Sequence, residues 1–327
     1  MRLVALLLCA SAPAAGERWT IRYHHDEDRT AITFNDLAFP TADRGVAVGS
    51  IKEGGSERGV QVATSDGGKT WQLTPLKEIG AQLFFLNETL GWMATGRGVW
   101  QTADGGRTWT KTKAPKDLFR VHFLDAMHGF AAGSGKSFYE TRDGGKTWSP
   151  VAAVKQLKTR PEHTHFTAIA FAGPKVGMVA GYSRPPRESD SRLPAWVDPE
   201  AKEFRREVPN LAVSLETRDG GATWAPGATS MFGRITRIRA RPPAESVGLV
   251  EFADGFEYAS EVFRVDWRTG HNARIYREKT RAITDVLLPP GGATLLGGYG
   301  ATGALRRLPV PGKVKILKSN DYRVWEE

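Results

Sequence analysis

Hydrophobic residues come in short runs separated by polar turns, and the same two-part arrangement recurs along the chain. A short apolar run leads through a polar turn into a run of small residues bounded by glycines. Leu37–Phe39 leads to Gly45–Gly49, Leu83–Phe85 to Gly91–Gly96, Val121–Phe123 to Gly129–Gly133, and Ile169–Phe171 to Gly177–Gly181. Two weaker copies follow, Ile238–Ala240 with Gly248–Phe252 and Val286–Leu287 with Ala293–Gly297. Short alternating runs between Gly-rich turns predict β-strands, and the recurrence predicts six units of similar build.

The first four units each end in a near-identical octapeptide: Thr64–Trp71, Thr102–Trp109, Thr141–Trp148 and Thr217–Trp224, all reading Thr-x-Asp-Gly-Gly-x-Thr-Trp. Their aspartates are 38, 39 and 76 residues apart. A period near 40 is that of one four-stranded propeller blade. The chemistry of the box is that of a turn. Asp66, Asp104, Asp143 and Asp219 can accept hydrogen bonds from turn N–H groups, helped by Thr70, Thr108, Thr147 and Thr223. The pairs Gly67-Gly68, Gly105-Gly106, Gly144-Gly145 and Gly220-Gly221 supply positive φ. Trp71, Trp109, Trp148 and Trp224 offer large apolar surfaces to a neighbouring sheet. Successive boxes belong to different blades at the rim, so they are expected to serve folding and not to form one active site. Asp266–Gly270 reads as an eroded fifth copy.

The boxes resemble the Asp-box, or bacterial neuraminidase repeat, of sialidases and other exported propellers. The longer unit, apolar strand to Gly-x-x-x-Gly to box, is similar to the photosystem II stability/assembly factor family and its bacterial relatives, over roughly residues 34–310. The resemblance implies an all-β chain with one β-propeller, six four-stranded blades, seven being the alternative count. It also implies a scaffold that recognises a protein client through a basic surface. Such motifs specify fold far more tightly than function.

The 76-residue gap between the last two boxes contains one upstream element, so residues 182–211 are read as a 30-residue insertion in blade four. It joins the second strand to the third, on the face opposite the boxes. It carries Arg184, Arg187, Arg192, Arg205, Arg206 and Trp196, with enough acidic residues to leave it net neutral. The starts of the innermost strands should ring the channel, contributing Asp36, Gln82, Arg120, Arg237 and Asp285. Arg120 and Arg237 join the insertion arginines and Trp196 as candidate partner-binding residues. Trp19–Tyr23 is expected to be an extra strand that closes the ring, and His163 and His165 to share one face of a strand.

Composition narrows the function classes. Of 327 residues, 45 are Lys or Arg and 36 Asp or Glu, a formal charge of +9 that is never concentrated in a run. No nucleic-acid motif accompanies it. Arg2, the apolar run Leu3–Ala10 and the Ala12–Ala14 site read as a signal peptide over residues 1–14, with the propeller over 15–327. Export to the periplasm or outside the cell would follow. Cleavage removes Cys9, the chain's one cysteine, and with it disulfides and thiolate chemistry.

Catalytic patterns are missing from the sequence. The sialidase family's aromatic-Arg-Ile-Pro motif has no counterpart, since Gly233–Thr236 lacks both the aromatic and the proline. No nucleophilic triad order or phosphate loop is visible. Asp36 and Asp285 are the one carboxylate pair that a glycoside hydrolase could use. The expectation is a monomeric, non-catalytic, exported propeller without cofactor or bound metal. It would bind a protein client, membrane-associated in the family analogy, with glycoside hydrolysis or carbohydrate binding as the alternative.

Overall fold

The computed structural model describes residues 21–184, 210–231, 233–252, 258–277 and 283–288, together with the backbones of the strands within 292–297, 304–309, 315–321 and 324–326. The first sheet holds β1 (Thr30–Ala38), β2 (Gly45–Glu53), β3 (Ser56–Thr64) and β4 (Gln72–Pro75). The second holds β5 (Gly80–Phe85), β6 (Gly91–Thr95), β7 (Gly98–Thr102) and β8 (Thr110–Lys111), and the third β9 (Leu118–Phe123), β10 (Gly129–Gly133), β11 (Phe138–Thr141) and β12 (Ser149–Pro150). The fourth comprises β13 (Thr164–Phe171), β14 (Gly177–Ser183), β15 (Asn210–Thr217) and β16 (Ala225–Met231), and the fifth β17 (Arg234–Arg241), β18 (Glu245–Glu251), β19 (Ser260–Asp266) and β20 (Asn272–Arg277). The last has five strands, β21 (Ile283–Leu287), β22 (Gly292–Gly297), β23 (Ala304–Pro309), β24 (Lys315–Asp321) and β25 (Val324–Glu326).

Every sheet is an antiparallel meander in chain order. Among the described residues the helical segments are two short 3-10 turns, Ala152–Gln156 and Pro161–His163. The chain is all-β, arranged as a β-propeller with the first strand of each sheet innermost. Five hydrophobic clusters follow the five junctions between consecutive sheets. That distribution follows from the strand patterns. The second and third strands are buried on both faces, as in Val46–Ile51 and Gly91–Thr95, so each sheet needs a neighbour on either side.

One packing rule recurs at the seams. The last aromatic of the inner strand lies over the glycine that opens the second strand. A Cβ on Gly91, Gly129 or Gly177 would stand 2.3–2.5 Å from the ring of Phe85, Phe123 or Phe171, so no larger residue fits. The box tryptophan of the same sheet meets that ring edge-on, Trp109 on Phe85 at 6.3 Å, Trp148 on Phe123 at 6.1 Å and Trp224 on Phe171 at 6.1 Å. Into this socket the preceding sheet inserts the residue after its own glycine. Val46 faces Gly106, Trp92 stacks on Phe123 at 3.5 Å, and Phe130 stacks on Phe171 at 5.5 Å. Burying such aromatics is worth roughly 1.5–3 kcal/mol each, and offset or edge contacts add to it.

The boxes are turns between third and fourth strands. In the first, the Thr70 hydroxyl donates to Asp66 Oδ2 at 2.6 Å and its N–H to Oδ1 at 2.9 Å, while the Gly68 N–H donates to Thr64 Oγ1 at 2.9 Å. The other three repeat these bonds within 0.1 Å. Both glycines have φ between 73° and 97° in every box, a region costly for residues with a Cβ. The first glycine's N–H also ties the box to the turn between strands one and two, Gly67 to Asp43 O at 2.8 Å and Gly144 to Met127 O at 2.9 Å. The Asp266–Gly270 turn keeps part of the pattern, with Gly270 at φ 73° and its N–H on Asp266 O.

Two expectations are corrected. Ile21–Tyr23, the described part of the proposed closing strand, pairs with no strand; Tyr23 packs edge-on against Phe34 at 5.7 Å. The fifth strand of the last sheet is β25. His163 ends a 3-10 turn set by Pro161 and lies outside the strand that carries His165. The segment read as a signal peptide and most of the insertion, residues 185–209, lie outside the described residues; β14 and β15 pair directly at Ser183 and Leu211 on either side of it.

The box hydrogen bonds predict acid sensitivity. Donation from Thr147 and Thr223 holds the carboxyls of Asp143 and Asp219 down to about 2, against an ordinary 3.8. A folded pKa below the unfolded value stabilises above the unfolded pKa and loses that stability as pH falls through the folded one. Urea midpoints should therefore drop between about pH 4 and pH 2. The variant D143N/D219N should be less stable at pH 7 and show a flatter decline over that window. An unchanged acid profile would contradict this account.

Candidate functional site at the channel

Each of the six inner strands carries a register shift against its neighbour, between Phe34 and Asp36, Gly80 and Gln82, Leu118 and Arg120, Phe166 and Ala168, Ile235 and Arg237, and Ile283 and Asp285. A bulge re-aims the side chain that follows it. Five of the six residues so aimed are polar: Asp36, Gln82, Arg120, Arg237 and Asp285. These are the residues expected at the channel from the repeat alignment. Asn35, Asp36, Gln82, Arg120, Arg237 and Arg239 line one narrow cavity of about 40 Å³, and Asp285 lies 3.6 Å from Arg237 Nε and 3.4 Å from Arg239 Nη2.

Much of this polarity stitches one sheet to the next. Asp36 Oδ2 accepts the Leu83 N–H at 2.8 Å, Gln82 Oε1 accepts the Val121 N–H at 2.7 Å, and Arg120 Nε donates to Thr167 O at 2.7 Å. Thr167 Oγ1 continues to Ile235 O at 2.5 Å, and Arg239 Nε to Val286 O at 3.2 Å. Each of the five successive junctions is thus bridged by a side chain of one inner strand reaching the backbone of the next. Inner-strand groups that face the channel would otherwise compete for water in a confined space.

Electrostatics separate the members. Arg120 is the most deeply set; burial first, then the neighbouring Arg237, lowers its pKa to about 10, so it stays protonated near neutrality. Burial raises the Asp36 carboxyl, against the Leu83 N–H and the Arg239 charge, which lower it. Arg237 and Arg239 keep about a third of their side-chain surface, 30% and 36%. Three guanidinium groups face two carboxylates, so the lining is net positive. Asp36 is bound by the second sheet and Asp285 by two arginines. His122, stacked on Phe171 with ring centroids 5.0 Å apart, is driven down to about 4 by burial and stays neutral.

Of the insertion candidates, Arg184 is described, its N–H donating to His163 O at 2.9 Å beside β14. Arg187, Arg192, Trp196, Arg205 and Arg206 lie outside the described residues. Arg239 was not among the expected channel residues, although alternation along β17 places it on the same face as Arg237. Among the described residues no three His, Cys, Asp or Glu side chains gather as metal ligands.

Comparison with known proteins agrees with this architecture. The family model described as photosynthesis system II assembly factor YCF48 matches residues 112–185, the third sheet and the inner half of the fourth. The solved structure of YCF48 bound to D1 peptide is 16% identical, with 92% of this chain and 86% of that one covered and a TM-score of 0.53. YCF48 from Cyanidioschyzon merolae is 15% identical over 88% and 85%, with a TM-score of 0.54. An ancestral GH74 enzyme is 12% identical with a TM-score of 0.54; it covers 90% of this chain, which spans 40% of that enzyme. No curated protein matches. The chain is a β-propeller of the bacterial neuraminidase repeat type and resembles the photosystem II assembly factor family.

The stitch predicts a specific energetic cost. Gln82→Met keeps volume but leaves the Val121 N–H without its acceptor, and a buried donor left unpaired costs about 1–3 kcal/mol. Urea unfolding at pH 7 should show that loss with an unchanged m-value. A cost below about 0.5 kcal/mol, the range of ordinary surface substitutions, would mean that Gln82 bridges nothing of consequence.

Proposed function

We propose that this protein is a non-catalytic scaffold that binds a protein client at the channel and assembles or stabilises an envelope or membrane complex. The observation that carries the reading is the convergence of Arg120, Arg237 and Arg239 on one net-positive lining, with Arg237 and Arg239 still part-exposed. Arginine is suited to this task because its planar fork binds carboxylates bidentately and its five N–H groups can also donate to backbone carbonyls. A related propeller, YCF48, has been solved bound to D1 peptide, which supports a protein client for a propeller of this build. In this reading the six sheets are six blades, and the segment between β14 and β15, shorter at both ends than the 182–211 expected because those ends pair as strand, is an insertion of the fourth on the face opposite the boxes. Residues 1–14 are then an export signal, which would place the mature chain in the periplasm or outside the cell, as a monomer.

Glycoside hydrolysis is the second reading, favoured by the GH74 fold relative. Asp36, which accepts the Leu83 N–H, and Asp285, held by Arg237 and Arg239, each join one sheet to the next, and this bridging role argues against a hydrolytic pair.

The test is co-purification from crosslinked native envelopes. The full chain should enrich a defined protein, and the R237E/R239E variant should lose it by at least tenfold while keeping its circular dichroism. Equal enrichment by both, or no enriched protein with a glycan hydrolysed instead, would overturn the proposal.

A further inference from the structure

The seam between the fourth and fifth sheets departs from the packing rule of the three seams before it. Met178 occupies the inserting position held by Trp92 and Phe130 elsewhere. Ala240 stands where Phe85, Phe123 and Phe171 form the socket, opposite Ser246 in place of glycine. The facing walls are small: Ala212, Ser214 and Gly227 on one side, Gly248 on the other. A cavity of about 550 Å³ opens between them, and Met178, Ile235, Ile238, Val250, Phe263 and Trp267 are among the apolar side chains that line it.

The walls cannot simply collapse onto each other. At the inner edge Thr167 Oγ1 is bonded to Ile235 O at 2.5 Å, at the box end Arg218 Nη1 reaches Trp267 O at 3.2 Å, and at the opposite end Arg234 lies over the Tyr182 ring at 5.9 Å. Three tethers therefore join the two sheets around the cavity, while Met178 and Ala240 stand where the two preceding seams carry an inserting aromatic and a socket phenylalanine. The volume falls within the roughly 300–1,000 Å³ of small-molecule sites, which are apolar with a few polar groups at the rim. Glu216 and Arg218 supply that rim.

We infer that this slot is a binding site for a flat, apolar small molecule of one or two fused rings, separate from the channel and independent of the client reading. Ring shape follows from the geometry, since the slot lies between two facing β-sheets and the side chains that fill its counterparts at the two preceding seams, Trp92 and Phe130, are aromatic.

The probe is 2-naphthol, titrated against the full chain and followed by saturation-transfer NMR. The blocking variant is Gly248→Leu. A Cβ there meets nothing nearer than Arg237 O at 4.0 Å, so the leucine enters the slot without moving backbone. Ala212→Leu, on the opposite wall, replaces it should it not fold. Saturable binding to the wild-type chain, weakened at least tenfold in the filled variant together with a raised Tm, is the expected result. No saturable binding to the wild-type chain, or equal binding to the wild-type and filled chains, overturns the inference.

Discussion

A four-stranded sheet whose middle strands are apolar on both faces cannot stand alone, and the seam between neighbouring sheets is the interaction on which this molecule depends. The seam imposes its own sequence grammar. An aromatic must end the inner strand, a glycine must sit beneath it, a tryptophan must close the box behind it, and a large side chain must arrive from the preceding sheet. Where all four are present, as around Trp92 with Phe123 and Phe130 with Phe171, the rings stack within 3.5–5.5 Å. Where Ala240 breaks the series, volume opens.

The inner strands solve a different problem. They face a channel too narrow for free solvation, so their polar side chains are first of all structural bridges to the next sheet. In the first three strands the side chain after the bulge makes the bridge, while in the fourth and fifth Thr167 and Arg239 make it. Asp36 and Gln82 commit acceptors to backbone N–H groups. Arg120 commits its Nε to a carbonyl. Arg237 and Arg239 share Asp285 and still hold accessible guanidinium surface. The guanidinium surface that remains after the sheets have been stitched together is cationic, and the proposed client binding rests on it.

The boxes and the Gly-x-x-x-Gly strands were legible in the sequence because a turn with two positive-φ glycines and a glycine under a phenylalanine tolerate almost no substitution. Repeat alignment also located Asp36, Gln82, Arg120, Arg237 and Asp285, since each follows a bulge at one fixed position in its strand. Arg239 escaped because its position in the other sheets, as at Ala38 and Phe84, is not a charged channel residue, so only alternation along β17 could have marked it. Trp19–Tyr23 looked like a strand by composition, but pairing depends on a free edge, which local pattern does not encode. The cavity between the fourth and fifth sheets was invisible for the same reason: it arises from which small residues face each other across a seam.

The central claim is that client recognition belongs to the channel-lining strands and not to the box turns. Hydrogen–deuterium exchange of the chain, alone and with its captured client, tests it directly. Protection gained at Arg234–Arg241 and Leu118–Phe123, with Thr64–Trp71 and Thr141–Trp148 unchanged, is the predicted result. Protection confined to the box turns would contradict it.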